Sequence, residues 1–156
     1  MRPLPALWGR VGRLKEPPAQ EGNSRTVATV DFFDVPLEVL VEVRGIALSL
    51  PEAWESRSPV GHEFRIRRRI FVYAFSVSTD AAPATMLVVR AAPDEREVLL
   101  RMSHPYFAPR SGRDRLGVVI EASTDWEEMA ELITESYRLH APKLLAATLD
   151  QEDPGR

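Results

Sequence analysis

The stretch Phe64-Arg65-Ile66-Arg67-Arg68-Arg69-Ile70-Phe71-Val72-Tyr73-Ala74-Phe75 decides the fold. Phe64 and Ile66 alternate with charged residues, and a dense β-branched and aromatic run begins at Ile70, so both halves read as strands. Three consecutive arginines stand where the connecting turn belongs. The pattern predicts a β-hairpin with a basic tip, a signal for binding rather than for chemistry.

Downstream, Thr85-Met86-Leu87-Val88-Val89-Arg90 reads as a third strand, reached through the turn Asp80-Ala81-Ala82-Pro83. Pro93-Asp94-Glu95-Arg96-Glu97 opens a helix through Leu99, Leu100 and Met102, with acids at its positive end. A short extended piece at His104–Ala108 precedes a basic loop, Arg110 to Arg115, and a last strand, Leu116–Glu121. Thr124 or Asp125 then caps a long helix whose apolar face is Trp126, Met129, Ala130, Ile133, Tyr137, Ala141 and Leu144. Pro142 is expected to kink or divide it.

Upstream, Asp34 is the expected N-cap of a first helix, with Pro36 in its first turn. Leu37, Leu40, Val41, Ala47 and Leu48 form its apolar stripe, and Leu50-Pro51 ends it. Residues 52–62, with Trp54, Pro59 and Gly61, read as a loop. The order is α-β-β-β-α-β-β-α. Strands that follow one another without intervening helices favour an antiparallel α+β sandwich, a sheet of about five strands covered by helices.

Residues 1–30 are rich in Pro, Gly and polar residues. Leu4, Leu7, Trp8, Val11 and Leu14 fall at helical spacing, the pattern of a docking peptide, but Pro3, Pro5, Gly9 and Gly12 interrupt it. The expected organisation is a poorly ordered arm over 1–30, a single domain over 31–149 and a frayed tail over 150–156.

At 156 residues the chain suits one domain with a core of its own. The absence of cysteine excludes disulfides and thiolate sites, which fits a reducing compartment; a cytoplasmic location is expected. No apolar run approaches the roughly 20 residues that span a bilayer, so no membrane partner is expected. The formal net charge is −3, yet residues 57–115 hold 11 arginines against 6 acids, while residues 116–150 hold 2 basic residues against 7 acids. Such an asymmetry orients a molecule toward an anionic partner even when the total charge is negative.

Catalytic constellations are thin. His62, His104 and His140 fall in no ligand spacing, Glu127, Glu128, Glu131 and Glu135 read as a solvated helix face, and there is no nucleophile elbow or glycine-rich phosphate loop. No enzyme activity, cofactor or metal is expected. Arg65, Arg67, Arg68 and Arg69, with Arg110, Arg113 and Arg115 as a second set, form the candidate nucleic-acid site, because guanidinium forks pair with phosphate oxygens and a two-stranded ribbon fits a groove. Tyr73, Tyr106 and Phe107 are available for stacking unless they belong to the core. The alternative is a protein-interaction or small-ligand module acting through the sheet face or edge, as a monomer or weak homodimer.

Several segments together resemble the MmcQ/YjbR-like family. Ile46-Ala47-Leu48-Ser49-Leu50-Pro51-Glu52 is similar to its "ALxLPE" opening, and Gly61-His62 with Phe64-Arg65-Ile66 and Arg69-Ile70-Phe71 to its "GH…FRV-GGK-xFA" hairpin. Pro93-Asp94-Glu95 with Glu97 resembles its "DPEER" helix. Asp125-Trp126-Glu127-Glu128 through Ser136-Tyr137-Arg138-Leu139 to Ala141-Pro142-Lys143-Leu144-Leu145 resembles its closing helix. The resemblance runs from about residue 34 to 147. It implies a CyaY-like (frataxin-like) two-layer fold and a DNA-binding role with hairpins as wings. Arg67 and Arg68 replace the family's two turn glycines, so a turn of another type, or a longer one, is expected. The segment between His62 and Phe64 is also shorter than in the family.

Overall fold

The computed structural model describes residues 31–79, 82–110 and 112–152, without the side chain of Glu152; the expected arm over 1–30 lies outside it. Its elements are β1 (Phe32–Phe33), α1 (Leu37–Ala47), β2 (Ala53–Ser58), β3 (Gly61–Ile66), β4 (Arg69–Val77), β5 (Ala84–Arg90), α2 (Pro93–Arg101), β6 (Tyr106–Phe107), β7 (Arg115–Ile120), α3 (Trp126–His140) and α4 (Lys143–Glu152). The strands form one antiparallel sheet in the order β2-β3-β4-β5-β7-β6. β1 pairs with Val77 and Ser76 of β4, beyond the point where β3 ends. The α+β class holds, with seven strands in place of about five.

The two extra strands have simple causes. β1 has only two residues, too few for any alternation to register. β2 is Ala-Trp-Glu-Ser-Arg-Ser at the sheet edge, a polar strand where a loop was expected; edge strands carry charge to discourage further pairing. Ser58 Oγ accepts from the Val60 and Gly61 amides and closes the Pro59-Val60 turn into β3. At the other end, Pro36 rather than Asp34 is the N-cap of α1, and no side chain caps that helix. Asp125 caps α3 by accepting from the Glu127 and Glu128 amides. Pro142 divides the last helix: α3 ends at His140 and α4 runs to Glu152, so Asp150 and Gln151 are helical rather than tail.

The described helices lie on one face. Val43 and Ala47 of α1, Leu99 of α2 and Met129, Leu132, Ile133 and Tyr137 of α3 pack on Phe64, Ile66, Val72, Leu87, Val89, Leu116 and Val118. Tyr137 crosses Phe71 edge-to-face at 5.4 Å and donates to the Pro51 carbonyl at 2.7 Å, tying α3 to the end of the first helical segment. A second apolar cluster, Tyr73, Phe75, Val77, Met86 and Val88, lies on the opposite face.

The β3–β4 register slips by one residue: Phe64 pairs with Val72, but Arg65 pairs with Ile70. Phe71 is the bulged residue. It therefore joins Val72 on the helix side, and its carbonyl leaves the ladder. In the β4–β5 register, with Val72 opposite Val89, the next pair is Phe71 and Arg90. Ser136 of α3 enters that gap. Its hydroxyl donates to the Phe71 carbonyl at 2.7 Å and accepts from the Arg90 amide at 2.9 Å.

Ser136→Ala leaves both backbone groups without that partner in a site where Ser136 is 0% exposed. We expect a loss of about 1–3 kcal/mol in urea unfolding and faster hydrogen exchange at the Arg90 amide. The Glu55 carboxylate of β2 accepts both Nε and Nη2 of Arg44 and faces His62 Nδ1 at 2.8 Å. The Arg44 guanidinium, and then His62, hold Glu55 below its ordinary value of 4.5. A lowered carboxylate stabilises the fold above the unfolded value, and that contribution fades as pH falls through the folded value. Glu55→Gln is therefore less stable at neutral pH and loses less stability than the parent below about pH 4.5, measured by urea unfolding at several pH values.

Candidate nucleic-acid interface at one end of the sheet

The turn between β3 and β4 is two residues long, Arg67 and Arg68, with Ile66 paired to Arg69. Among the two, Arg67 alone has a positive φ, 58°. A type I′ turn needs positive φ at both central positions; the connection is of another type, as the loss of two glycines implied. Arg67 Nε donates to Glu52 Oε1 at 3.2 Å, and Trp54 Nε1 donates to the Arg67 carbonyl at 3.2 Å. Arg65 lies 5.7 Å from the Trp54 ring centroid and donates to Glu63, to Ser56 Oγ and to the Arg68 carbonyl. Arg65 thus braces the turn from the strand behind it, while Arg68 and Arg69 are exposed.

The second arginine set reaches the same end. β5 is antiparallel to β4, and β7 to β5, with Arg90 opposite Arg115. The start of β4, the end of β5 and the start of β7 therefore share one edge of the sheet. β6 runs against β7 and delivers the loop holding Arg110 and Arg113 to that edge. Adjacent strands are about 4.8 Å apart, so about 10 Å of sheet separates the start of β4 from the start of β7. Of the seven predicted arginines, Arg68, Arg69, Arg110, Arg113 and Arg115 have no carboxylate partner among the described residues.

Other groups converge there. Arg90 pairs with Asp114 at 2.6 Å and donates to the Leu139 carbonyl, holding the C-terminus of α3 against the sheet end. Arg96 of α2 donates from Nε to the Arg115 carbonyl at 2.7 Å. An open groove of about 480 Å³ is lined by Pro93, Arg96, Glu97, Leu100, Arg101 and Arg113. His140 donates from Nδ1 to the Ser136 carbonyl at 2.9 Å, leaving Nε2 as the acceptor nitrogen of a neutral ring. Burial first, and then the charges of Arg90, Arg115 and Arg69, push His140 below its ordinary value of 6.5.

The other residues singled out in the sequence have different surroundings. Tyr73 and Tyr106 are buried and Phe107 is half-buried, with its ring against Gly117, so all three serve packing. Tyr106 donates to Glu128, while Glu131 and Glu135 lie near Glu95, whose carboxyl burial and these neighbours hold above its ordinary value. His62 pairs with Glu55 and His104 with Glu121, so the three histidines serve separate places. The aromatic residue that does stand at the basic end is Trp54, 47% exposed. Sequence reading placed it in a loop, because the polar edge strand that carries it, Ala53–Ser58, shows no apolar alternation.

Among the described residues, the sheet, its helical cover on one face and its basic edge define an α+β protein with a charged rim and a helix C-terminus behind it. The chain belongs to the YjbR family, whose model matches residues 48–139, a span that contains both arginine sets. No curated protein matches the chain.

His140 is expected to titrate below 6.5 by NMR, and Arg69→Gln should raise its midpoint by removing one of the three positive charges. An unmoved midpoint would place Arg69 away from the end of α3.

Proposed function

We propose that this YjbR-family chain is a non-enzymatic DNA-binding protein that grips the phosphate backbone along the basic end of its sheet. The observation that carries the reading is the convergence of two arginine sets, some 40 residues apart in sequence, on one edge. The β3–β4 hairpin serves as the wing. Arg68 and Arg69, without a carboxylate partner among the described residues, present their guanidinium forks at its tip, and Arg110, Arg113 and Arg115 extend the row across β7. A row of about 10 Å spans roughly three phosphates of one strand at 3.4 Å of helix axis each.

Contacts of this type fix position and carry little sequence information. Trp54, Arg65 and Glu63 stiffen the wing so that less ordering accompanies binding. His140 adds a proton-linked contribution. A phosphate beside Arg69 and Arg115 favours the imidazolium, so binding strengthens as pH falls through the range below 6.5.

The test is a fluorescence-anisotropy titration on a short duplex over a salt series. The affinity should fall with a log–log slope of roughly −0.9 per phosphate contacted. Reversing Arg67, Arg68 and Arg69 to Glu should abolish binding while circular dichroism and the unfolding midpoint show a folded protein. Unchanged binding by this variant sinks the wing, and no detectable binding near physiological salt points to a protein or small-ligand partner instead.

A further inference from the structure

One face of α2 is spelled by Pro93, Arg96, Glu97, Leu100 and Arg101, residues spaced three and four apart. That face lines the open groove of about 480 Å³ on one side, and Arg113 of the loop before β7 lines it on the other. The volume falls in the roughly 300–1,000 Å³ range of small-ligand sites. From Pro93 to Arg101 the face runs about 12 Å, at 1.5 Å of rise per residue.

Both sides of the groove are held in place. Leu100 packs against the helix-side core and gives the groove an apolar surface. Arg96 is fixed by the bond from its Nε to the Arg115 carbonyl. On the other side, Arg113 stands between two anchored neighbours. The Gly112 carbonyl accepts from the Arg115 amide at 3.4 Å, while Asp114 pairs with Arg90 and its carbonyl accepts from the Ala91 amide at 2.9 Å. Gly112 has a φ of 93°, and a Cβ there would fall 2.6 Å from the Arg115 Cγ, so glycine lets the loop close over that side chain. At the end of α2, Arg101 pairs with Glu97 at 3.2 Å, both largely exposed, an ion pair that costs little to open.

The lining carries three guanidinium groups and one carboxylate, a net charge of +2. An internal phosphodiester of DNA brings a single negative charge. A phosphate monoester brings about −1.5 to −2 at neutral pH and is the closer match. We infer that this groove takes a nucleoside monophosphate, either free or as the phosphorylated terminal nucleotide of a DNA strand. The phosphoryl group lies between Arg96 and Arg113, whose forks meet its oxygens. The base lies along Leu100 with the Arg101 guanidinium against its face, since guanidinium planes stack on bases. Glu97 accepts from an exocyclic amine of the base. In its DNA-end form the inference rests on the DNA-binding reading, because Arg113 belongs to both the row and the groove and a strand gripped along the rim delivers its end there.

The test is an NMR titration of the full chain with deoxyadenosine 5′-monophosphate, read at the Leu100 methyls and the Arg96 Nε. Inorganic phosphate and deoxyadenosine are the comparators. The nucleotide should shift both resonances and bind several-fold tighter than either comparator. Arg101→Glu should weaken it several-fold and Glu97→Gln should tighten it; both side chains are exposed, so neither change threatens the fold. Unmoved Leu100 and Arg96 resonances overturn the inference whatever a duplex does. Equal affinity for inorganic phosphate leaves a simple anion site and also overturns it. Anisotropy on a duplex with one unpaired 5′ nucleotide then identifies the source. A 5′-phosphate should raise affinity several-fold over a 5′-hydroxyl, and Arg101→Glu should erase that difference while the duplex still binds. Equal binding of the two ends, with the nucleotide shifts intact, assigns the groove to the free mononucleotide. No duplex binding at all, with those shifts intact, removes the DNA-binding reading and leaves the groove standing.

Discussion

The seating of α3 against the basic end of this molecule depends on a single hydroxyl. The bulge at Phe71 removes a carbonyl from the β4–β5 ladder and Ser136 replaces the missing bond, one side to Phe71 and the other to Arg90. The bridging atom belongs to α3. The helix is consequently locked in rotation and height over the sheet. Its last turn then reaches Arg90 through the Leu139 carbonyl, and His140 comes to lie near three arginines from three strands. Tyr137, the next residue, carries the same constraint outward to Pro51 and so to the entry of β2.

Polarity follows from this placement. The acidic N-terminus of α3, with Glu127 and Glu128, points away from the end where Arg69, Arg90 and Arg115 gather, and the helix dipole runs between them. The C-terminus of a helix attracts cations, so Arg90 and the neighbouring guanidinium groups sit where the backbone favours them. The charge asymmetry of the sequence is in this way a spatial asymmetry, with a basic rim at one end and an acidic helix start at the other.

Much of this was legible beforehand and for identifiable reasons. β4 and β5 announce themselves by dense β-branched and aromatic runs, α3 by its apolar periodicity, its break by Pro142 and its cap by Asp125. Those signals are local. β2 was missed because an edge strand packs few side chains on the core, and without burial there is no alternation to see. The bulge at Phe71 was invisible because apolar residues continue on both sides of it, so a reversal of face leaves no trace in composition. The meeting of Arg69 with Arg115 depends on strand order, β4-β5-β7, which no spacing encodes. Trp54 was quoted as a loop residue although its indole and the Arg65 guanidinium form the brace of the hairpin.

The turn itself carries a physical tension. Glu52 and Arg67 both occupy left-handed backbone, with φ of 61° and 58°, where glycine is the relaxed choice and other residues are strained by about 1–2 kcal/mol each. They are also each other's ion-pair partners. Drift toward glycine at either position would ease the backbone and dissolve the pair in one step, withdrawing charge from the rim if it struck Arg67. Conformational ease and surface potential are thus opposed quantities at this hairpin, and a glycine at position 67 would exchange one for the other.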